Sequence, residues 1–300
     1  MPNVHYSHCP VCSSTSIEPR LVVRDHTVSG KEFAVWQCGD CTLRFTQDVP
    51  DATDIGPYYK AESYISHTNT SKGLINNLYQ KVRALTLKQK ASTIAAATGL
   101  STGRLLDVGC GTGAFLNAMK KEGWQVTGLE PDADARRVAR ELYRVEPLEA
   151  SMLQDLPPAS FDAITLWHVL EHVHELHGTV AQLRKLLKPG GKLMVAVPNY
   201  TSQDEAIYGQ NWAAYDVPRH LYHFTPRALT MLMERHGLRV IAKKPMWFDS
   251  FYISMLSSQY KNGKTNWIGA SLAGIRSNLK ATADHDRCSS LTYIIEQERG

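Results

Sequence analysis

The sequence predicts an α/β protein, a mostly parallel sheet covered by helices on both faces, behind a small cysteine-built module at the N-terminus. Three observations predict it. Beyond Arg104, short apolar runs alternate with helical stretches. The first of these runs ends in glycines at alternate positions, Gly109, Gly111 and Gly113. Ahead of them, Cys9, Cys12, Cys38 and Cys41 form two Cys-x-x-Cys pairs.

The alternation can be followed in order. Strand candidates are Leu105–Val108, Gln125–Leu129, Ala163–Trp167 and Lys192–Val197, separated by helical stretches at Ala114–Glu122, Ala133–Tyr143 and Val180–Leu187. Apolar strands joined through helices make a parallel sheet buried on both faces. Pro189-Gly190-Gly191 predicts a stop before the fourth strand. Residues Pro198–Phe224 are rich in aromatic residues, Pro and His, the texture of a functional insertion at about 198–226 rather than a tight connection. A helix at Arg227–His236, capped by Gly237, and a strand at Leu238–Ala242 come next. Helices near Phe251–Tyr260 and Trp267–Leu279 and a strand at Leu291–Ile295 end the chain.

Upstream, residues 1–47 read as short strands around the cysteines. Residues 48–100 read as a Tyr-rich connector and a helix on which Leu74, Leu78, Val82, Leu85 and Leu87 recur at roughly helical spacing. Residues 101–300 form the main domain, and no internal repeat is present.

Composition narrows the classes. Apolar residues at 43% and charged residues at 21% are ordinary for a soluble globular protein. The net charge of +4 is small and no basic block is present, so no nucleic-acid partner is expected. The first ten residues hold no apolar core of signal-peptide length, and no apolar run reaches the roughly 18 residues that a spanning helix needs. Clustered cysteines without a secretion signal favour metal binding in a reducing compartment, the cytoplasm, over disulfides. Four thiolates at this spacing suit tetrahedral zinc with no open position, a structural site. Cys288 stands alone.

The segment Leu105-Leu106-Asp107-Val108-Gly109-Cys110-Gly111-Thr112-Gly113 carries the strongest signal. A strand enters glycines that let the backbone turn sharply and let a ligand approach. Glu130 closes the next strand, about 20 residues on, where a carboxylate can grip a pair of ribose hydroxyls. This pattern resembles motif I of class I methyltransferases, with a Rossmann-like seven-stranded sheet. Phe161-Asp162-Ala163-Ile164, Trp167-His168-Val169-Leu170-Glu171-His172 and Leu187-Lys188-Pro189-Gly190-Gly191 follow in the family's order. The resemblance covers roughly Gly103–Ala242.

It implies S-adenosyl-L-methionine as cofactor, with Asp107, Gly109, Cys110, Gly111 and Gly113 around its amino-acid end and Glu130 and Pro131 at the ribose. Ser151, Met152 and Leu153, in the loop at about Ala150–Leu156, are the adenine candidates, and Trp167 is a further cofactor-binding candidate. It also implies methyl transfer to a small-molecule acceptor on oxygen or carbon. Asn-Pro-Pro-Tyr, the mark of amino-methylating nucleic-acid enzymes, is missing after the fourth strand.

A hydroxyl or carbon nucleophile must lose a proton, which points to histidines. His168-Val169-Leu170-Glu171-His172 resembles the Glu-x-x-Glu-His metal segment of ubiquinone-pathway O-methyltransferases, except that His168 replaces the first Glu. A metal site and a capping role for Glu171 and His172 both stand, the second favoured. Pro218-Arg219-His220-Leu221-Tyr222-His223-Phe224 resembles a stretch of bacterial methyltransferases, some encoded beside polysaccharide-assembly functions. Alternation puts His220 and Tyr222 on one face and Arg219, Leu221 and His223 on the other. These residues supply a base, a phenol and an anion clamp, or else pin the insertion to the core; His220 is the first candidate base, with His168, Tyr222 and His223 behind it.

A four-cysteine module before this core also resembles deoxysugar C-methyltransferases, which suggests a sugar or cell-envelope precursor as acceptor. The competing reading is an interaction protein whose zinc module docks a macromolecule that the methyltransferase domain modifies or scaffolds. The stretch Met246–Leu279 suggests either weak membrane association or a substrate lid, with Lys261, Lys264 and Arg276 interrupting it. Oligomeric state is not legible.

Overall fold

The computed structural model describes residues 3–59 and 74–298. Strands β1 (Asn3–Val4), β2 (Ile17–Arg24), β3 (Glu32–Cys38), β4 (Arg44–Thr46) and β5 (Val49–Pro50) come first, then helix α1 (Leu74–Thr98). The stretch 60–73 of the Tyr-rich connector lies outside the described residues. Strand and helix then alternate as β6 (Arg104–Val108), α2 (Ala114–Lys121), β7 (Gln125–Leu129), α3 (Ala133–Tyr143), β8 (Phe161–Trp167), α4 (Leu176–Leu186) and β9 (Leu187–Pro198). After α5 (Gln203–Tyr208) come β10 (Tyr222–His223), α6 (Pro226–Glu234), β11 (Leu238–Pro245), α7 (Asp249–Asn262), α8 (Trp267–Ala283) and β12 (Ser290–Gln297).

Among the described residues the main sheet has six strands, in the order β11-β12-β9-β8-β6-β7, with β6 parallel to both β7 and β8. This corrects the expected seven. Residues 145–148 run beside β7 but make only one parallel bridge, Leu148 to Leu129. Leu148 N–H donates to Gly128 O at 2.9 Å and Glu130 N–H to Leu148 O at 3.0 Å. The preceding residue, Pro147, has no N–H with which to extend a ladder. A short 3-10 helix, Ala150–Asp155, follows.

A second correction concerns Pro189-Gly190-Gly191, which lies inside β9 rather than stopping before it. Gly190 takes the kink at φ +80°. At Gly191 a Cβ would stand 3.0 Å from Phe161 O, so the backbones pass too close for a side chain.

The helices follow from local sequence. Asp132 caps α3 by accepting from the N–H groups of Asp134 and Ala135, and Arg144 ends it in the left-handed region. In α2, Phe115, Leu116 and Met119 fall on one face and are buried. Thr225 caps α6, with Pro226 at its first turn.

Packing divides the chain into two compact units. The first comprises Met1–Ala61, Leu170–His177 and Ala196–Tyr293. Its four-stranded sheet has the order β10-β4-β3-β2, so a strand from the expected insertion completes a sheet begun by the cysteine segment. Val23, Val35, Trp212, Tyr215 and Val217 belong to its core. The second comprises Glu62–Val169, Gly178–Val195 and Ile294–Gly300, with Ile94, Leu105, Phe115, Trp124, Ala163 and Met194 in its core.

Candidate active site

In the second unit, buried β6 delivers Asp107 and then turns through the glycines. Gly109 and Gly111 both sit at positive φ, +70° and +53°. Their surroundings differ. A Cβ on Gly109 would come within 2.4 Å of Val169 Cγ2, whereas one on Gly111 would meet nothing within 4 Å. Packing therefore excludes a side chain at Gly109, while Gly111 borders open space. Gly113 belongs with the former, since its Cβ would crowd Val145 and Ala139. Cys110 is buried, and burial pushes its thiol up.

The two acids are fixed by different means. Gly111 N–H donates to Glu130 Oε2 at 2.7 Å and Asp132 N–H to Oε1 at 3.0 Å. Arg136 braces the same turn, donating to Glu130 O at 2.7 Å and Pro131 O at 2.8 Å. Burial raises the Glu130 carboxyl, and the two backbone N–H groups oppose the rise. Asp107 accepts from Thr165 Oγ1 at 2.6 Å. Burial raises its pKa to about 7, against the lowering effects of Thr165 and Lys90.

Around these acids, Leu153 is buried while Met152 and Pro131 are exposed. The Lys90 ammonium sits 4.3 Å from the Trp167 ring centroid, and Phe115 meets that ring edge-on. The indole Nε1 of Trp167 is buried without a hydrogen-bond partner among the described residues. His168 follows with φ +58°, rare for a residue with a side chain. Thr165, Lys90 and Arg136 were not anticipated. Their only sequence signal was a threonine within the apolar strand β8, and its partner depends on the register that pairs it with Asp107.

A family model for the methyltransferase domain matches residues 79–243, more than half of the chain. The chain belongs to the methyltransferase domain family. Relatives named ubiquinone biosynthesis O-methyltransferase include one from Xanthomonas campestris pv. campestris (strain B100). It is 34% identical over 142 residues, covering 44% of this chain and 59% of that protein. Another, from Idiomarina loihiensis, is 30% identical over 175 residues, covering 54% of this chain and 72% of the relative. The chain thus spans about six-tenths of the length of the first of these relatives. A provisionally assigned sarcosine dimethylglycine methyltransferase from Galdieria sulphuraria shares the fold, with TM-score 0.51 and 12% identity over 71% of this chain and 86% of that one. Asp107, Gly111 and Glu130 lie within the matched residues, as do Glu171, His172 and His220, which belong with the four cysteines to the first unit.

One of them gathers Glu171, His172 and His220, whose ligand atoms all lie within 4.8 Å of one another. His172 Nδ1 donates to Arg219 O at 3.0 Å, and Tyr59 Oη lies 3.1 Å from the same nitrogen. His220 Nδ1 donates to Ala214 O at 2.9 Å, which leaves Nε2 as its basic nitrogen, 3.7 Å from Asp216 Oδ2. Arg219, almost wholly buried, forks onto Asp216 through Nε and Nη2 and donates to Tyr58 O through Nη1 at 3.2 Å. Burial, and then the neighbouring His220, lower the His172 pKa to about 4.

The expected alternation along 218–224 is corrected here, because only Tyr222–His223 is strand and Arg219 to His223 are all buried. His220 N–H donates to Asp216 O, a turn rather than a ladder. Tyr222 Oη donates to His174 O at 3.3 Å and lies 3.2 Å from Tyr6 Oη. His223 Nε2 is 3.1 Å from Thr46 Oγ1, and burial holds its pKa well below the ordinary value.

The other cluster is made by the four N-terminal cysteines. Cys9 Sγ and Cys41 Sγ are 3.4 Å apart, Cys12 Sγ and Cys38 Sγ 3.5 Å, and all four sulfurs fall within 4.8 Å. These spacings are far longer than a disulfide's roughly 2.0 Å. They approach the edge of a sulfur tetrahedron, about 3.8 Å for metal–sulfur bonds of about 2.3 Å. Val11 N–H points at Cys9 Sγ and Cys41 N–H at Cys38 Sγ, each at 3.5 Å. The hydrogen bond from Cys41 holds Cys9 down at about 5, while burial lifts Cys12 to about 11.

Proposed function

We propose that the chain transfers a methyl group from S-adenosyl-L-methionine to a hydroxyl of a small-molecule acceptor, a sugar or cell-envelope precursor, with carbon as the alternative nucleophile. The observation that carries the reading is the turn at Gly111. It is open to a ligand, at the carboxyl end of a parallel strand, beside a carboxylate fixed by that glycine's own N–H. The unpartnered Trp167 Nε1 is a second group suited to a ligand.

In this reading Asp107 and the loop from Gly109 to Gly113 hold the amino-acid end of the cofactor, and Glu130 and Pro131 the ribose. Leu153 and Met152 serve the adenine side, and Trp167 offers its Nε1 to the cofactor. The bound sulfonium makes its methyl electrophilic. The chain's own part is to align the acceptor, exclude water and take up the hydroxyl proton. His220 is the proton acceptor, since its Nδ1 is committed to Ala214 O and its Nε2 stays basic. Tyr222 and His223 hold that segment in place, and His168, in its strained conformation, shapes the end of β8. The four cysteines bind a structural zinc, supported by the four-sulfur donor set.

Calorimetric titration of the purified chain with S-adenosylmethionine and S-adenosylhomocysteine tests the reading. Saturable binding, weakened at least tenfold in Glu130→Ala, is expected. A folded, zinc-loaded protein that binds neither would move the function to partner docking by the cysteine unit. Metal analysis should find one zinc per chain, lost in Cys38→Ala together with the stability of the first unit.

A further inference from the structure

The helical pair α7–α8 is built inside out. Apart from Ile253, its buried positions are small, among them Ser254, Ser257 and Ser258 on α7 and Ala270, Ala273 and Gly274 on α8. A Cβ on Gly274 would stand 2.8 Å from Phe251 Cδ1, so the helices meet at near-backbone distance. The large aliphatic side chains of α8 face outward. Ile268, Leu272, Ile275 and Leu279 are 77%, 54%, 45% and 63% exposed. Their spacing of four, three and four residues draws one stripe along the helix. A surface helix of a globular protein ordinarily turns that stripe toward its core.

Charge and aromatic residues say what covers the stripe. From Met246 to Ala283 the sole acid is Asp249, against Lys261, Lys264, Arg276 and Lys280. Trp267 and Tyr252 are each 59% exposed on the same pair. A cleft of about 320 Å³ opens beside the stripe, lined by Tyr208, Ser258, Lys261, Asn262, Leu272 and Arg276. Outward aliphatics, interfacial aromatics and unopposed cations together match an anionic lipid surface. A second copy of the chain fits worse, because it would bring Arg276 and Lys280 against like charge, with only Asp249 to answer them. Among the described residues no helix is long and apolar enough to cross a membrane, so the contact is interfacial.

We propose that the outer face of α7–α8 docks on an anionic phospholipid bilayer, the aliphatic stripe and Trp267 entering the acyl boundary and Lys261 and Arg276 meeting headgroup phosphates. The proposal stands apart from the choice of acceptor. It places the chain at a membrane surface through helices α7 and α8, neither of which crosses it.

Co-sedimentation with vesicles tests it. The full chain should pellet with phosphatidylcholine–phosphatidylglycerol vesicles and stay in solution with phosphatidylcholine alone. The substitutions Ile268→Ser, Leu272→Ser and Leu279→Ser together remove exposed side chains and should weaken partition at least about tenfold. Lys261→Glu with Lys264→Glu should weaken it roughly fivefold per charge lost and reduce the salt dependence of what remains. An unchanged circular dichroism spectrum establishes that each variant is folded. Binding to neutral and anionic vesicles alike, binding that survives the triple substitution, or no binding at all would overturn the proposal. So would a dimer, seen by light scattering, that the triple substitution returns to monomer.

Discussion

The glycine-loop site of the second unit and the histidine cluster of the first are both buried and polar, yet they spend their hydrogen bonds differently. Around His220 most polar groups face one another or nearby carbonyls, with Arg219 on Asp216 and Tyr58 O, His172 on Arg219 O and His220 on Ala214 O, while His223 Nδ1 is buried without a hydrogen-bond partner among the described residues. Around Asp107 and Glu130 the Thr165 hydroxyl fixes one acid and two backbone N–H groups the other, while Gly111 stays open and Trp167 Nε1 has no hydrogen-bond partner among the described residues. The difference teaches that a polar cluster whose cation and imidazoles are tied to its own carboxylate and carbonyls braces a fold first, whereas a glycine turn bordering open space is set for a ligand.

Breaking the closed cluster should have the largest effect on folding. Arg219→Leu leaves the Asp216 carboxylate largely buried with only the His220 imidazole near it, at 3.7 Å, and a loss of about 3–5 kcal/mol is expected in urea unfolding. S-adenosylmethionine affinity of the remaining folded protein should be unchanged; a parallel loss of affinity would erase the contrast between the clusters.

Breaking the open site should instead act on binding and on pH. Asp107 is a carboxyl whose folded pKa lies near 7, above its unfolded value near 3.8. Its contribution to stability is therefore complete below about pH 4 and is lost as pH rises through 7. The ligand-free protein should weaken across that window, and Asp107→Asn should flatten the profile. A cationic ammonium at Asp107 favours the ionised form, so cofactor affinity should rise with pH by up to roughly tenfold per unit below 7. Affinity independent of pH from 5 to 8 would remove Asp107 from the site.

The smallest expected stability change sharpens the one place where the closed cluster touches chemistry. His220→Gln keeps a donor for Ala214 O and should cost only about 1 kcal/mol. If His220 takes the acceptor's proton, kcat falls at least a hundredfold while KM for the cofactor holds. A fall in stability with kcat intact would make His220 a bracing residue alone.

What the sequence revealed follows the same division. Strand β6, the glycines and Glu130 lie within 27 residues, from Arg104 to Glu130, and local chemistry specifies them, so they could be read directly. Helix α3 was bounded correctly because its cap, Asp132, is adjacent to it. Thr165 against Asp107, β10 against β4, and His220 beside Glu171 and His172 depend on register or on segments far apart in the chain. Among the described residues the expected seventh strand is reduced to the bridge between Leu148 and Leu129, beside Pro147, whose lack of an N–H is local chemistry while the pairing it limits is not.

The most direct test of the open-site account is hydrogen exchange of backbone amides with and without S-adenosylhomocysteine. The account predicts protection concentrated at Gly109–Gly113 and Glu130–Asp132, with no change at Asp216–His223 beyond slow exchange already present without ligand. Protection centred on Asp216–His223, with the glycine loop unaffected, would contradict it.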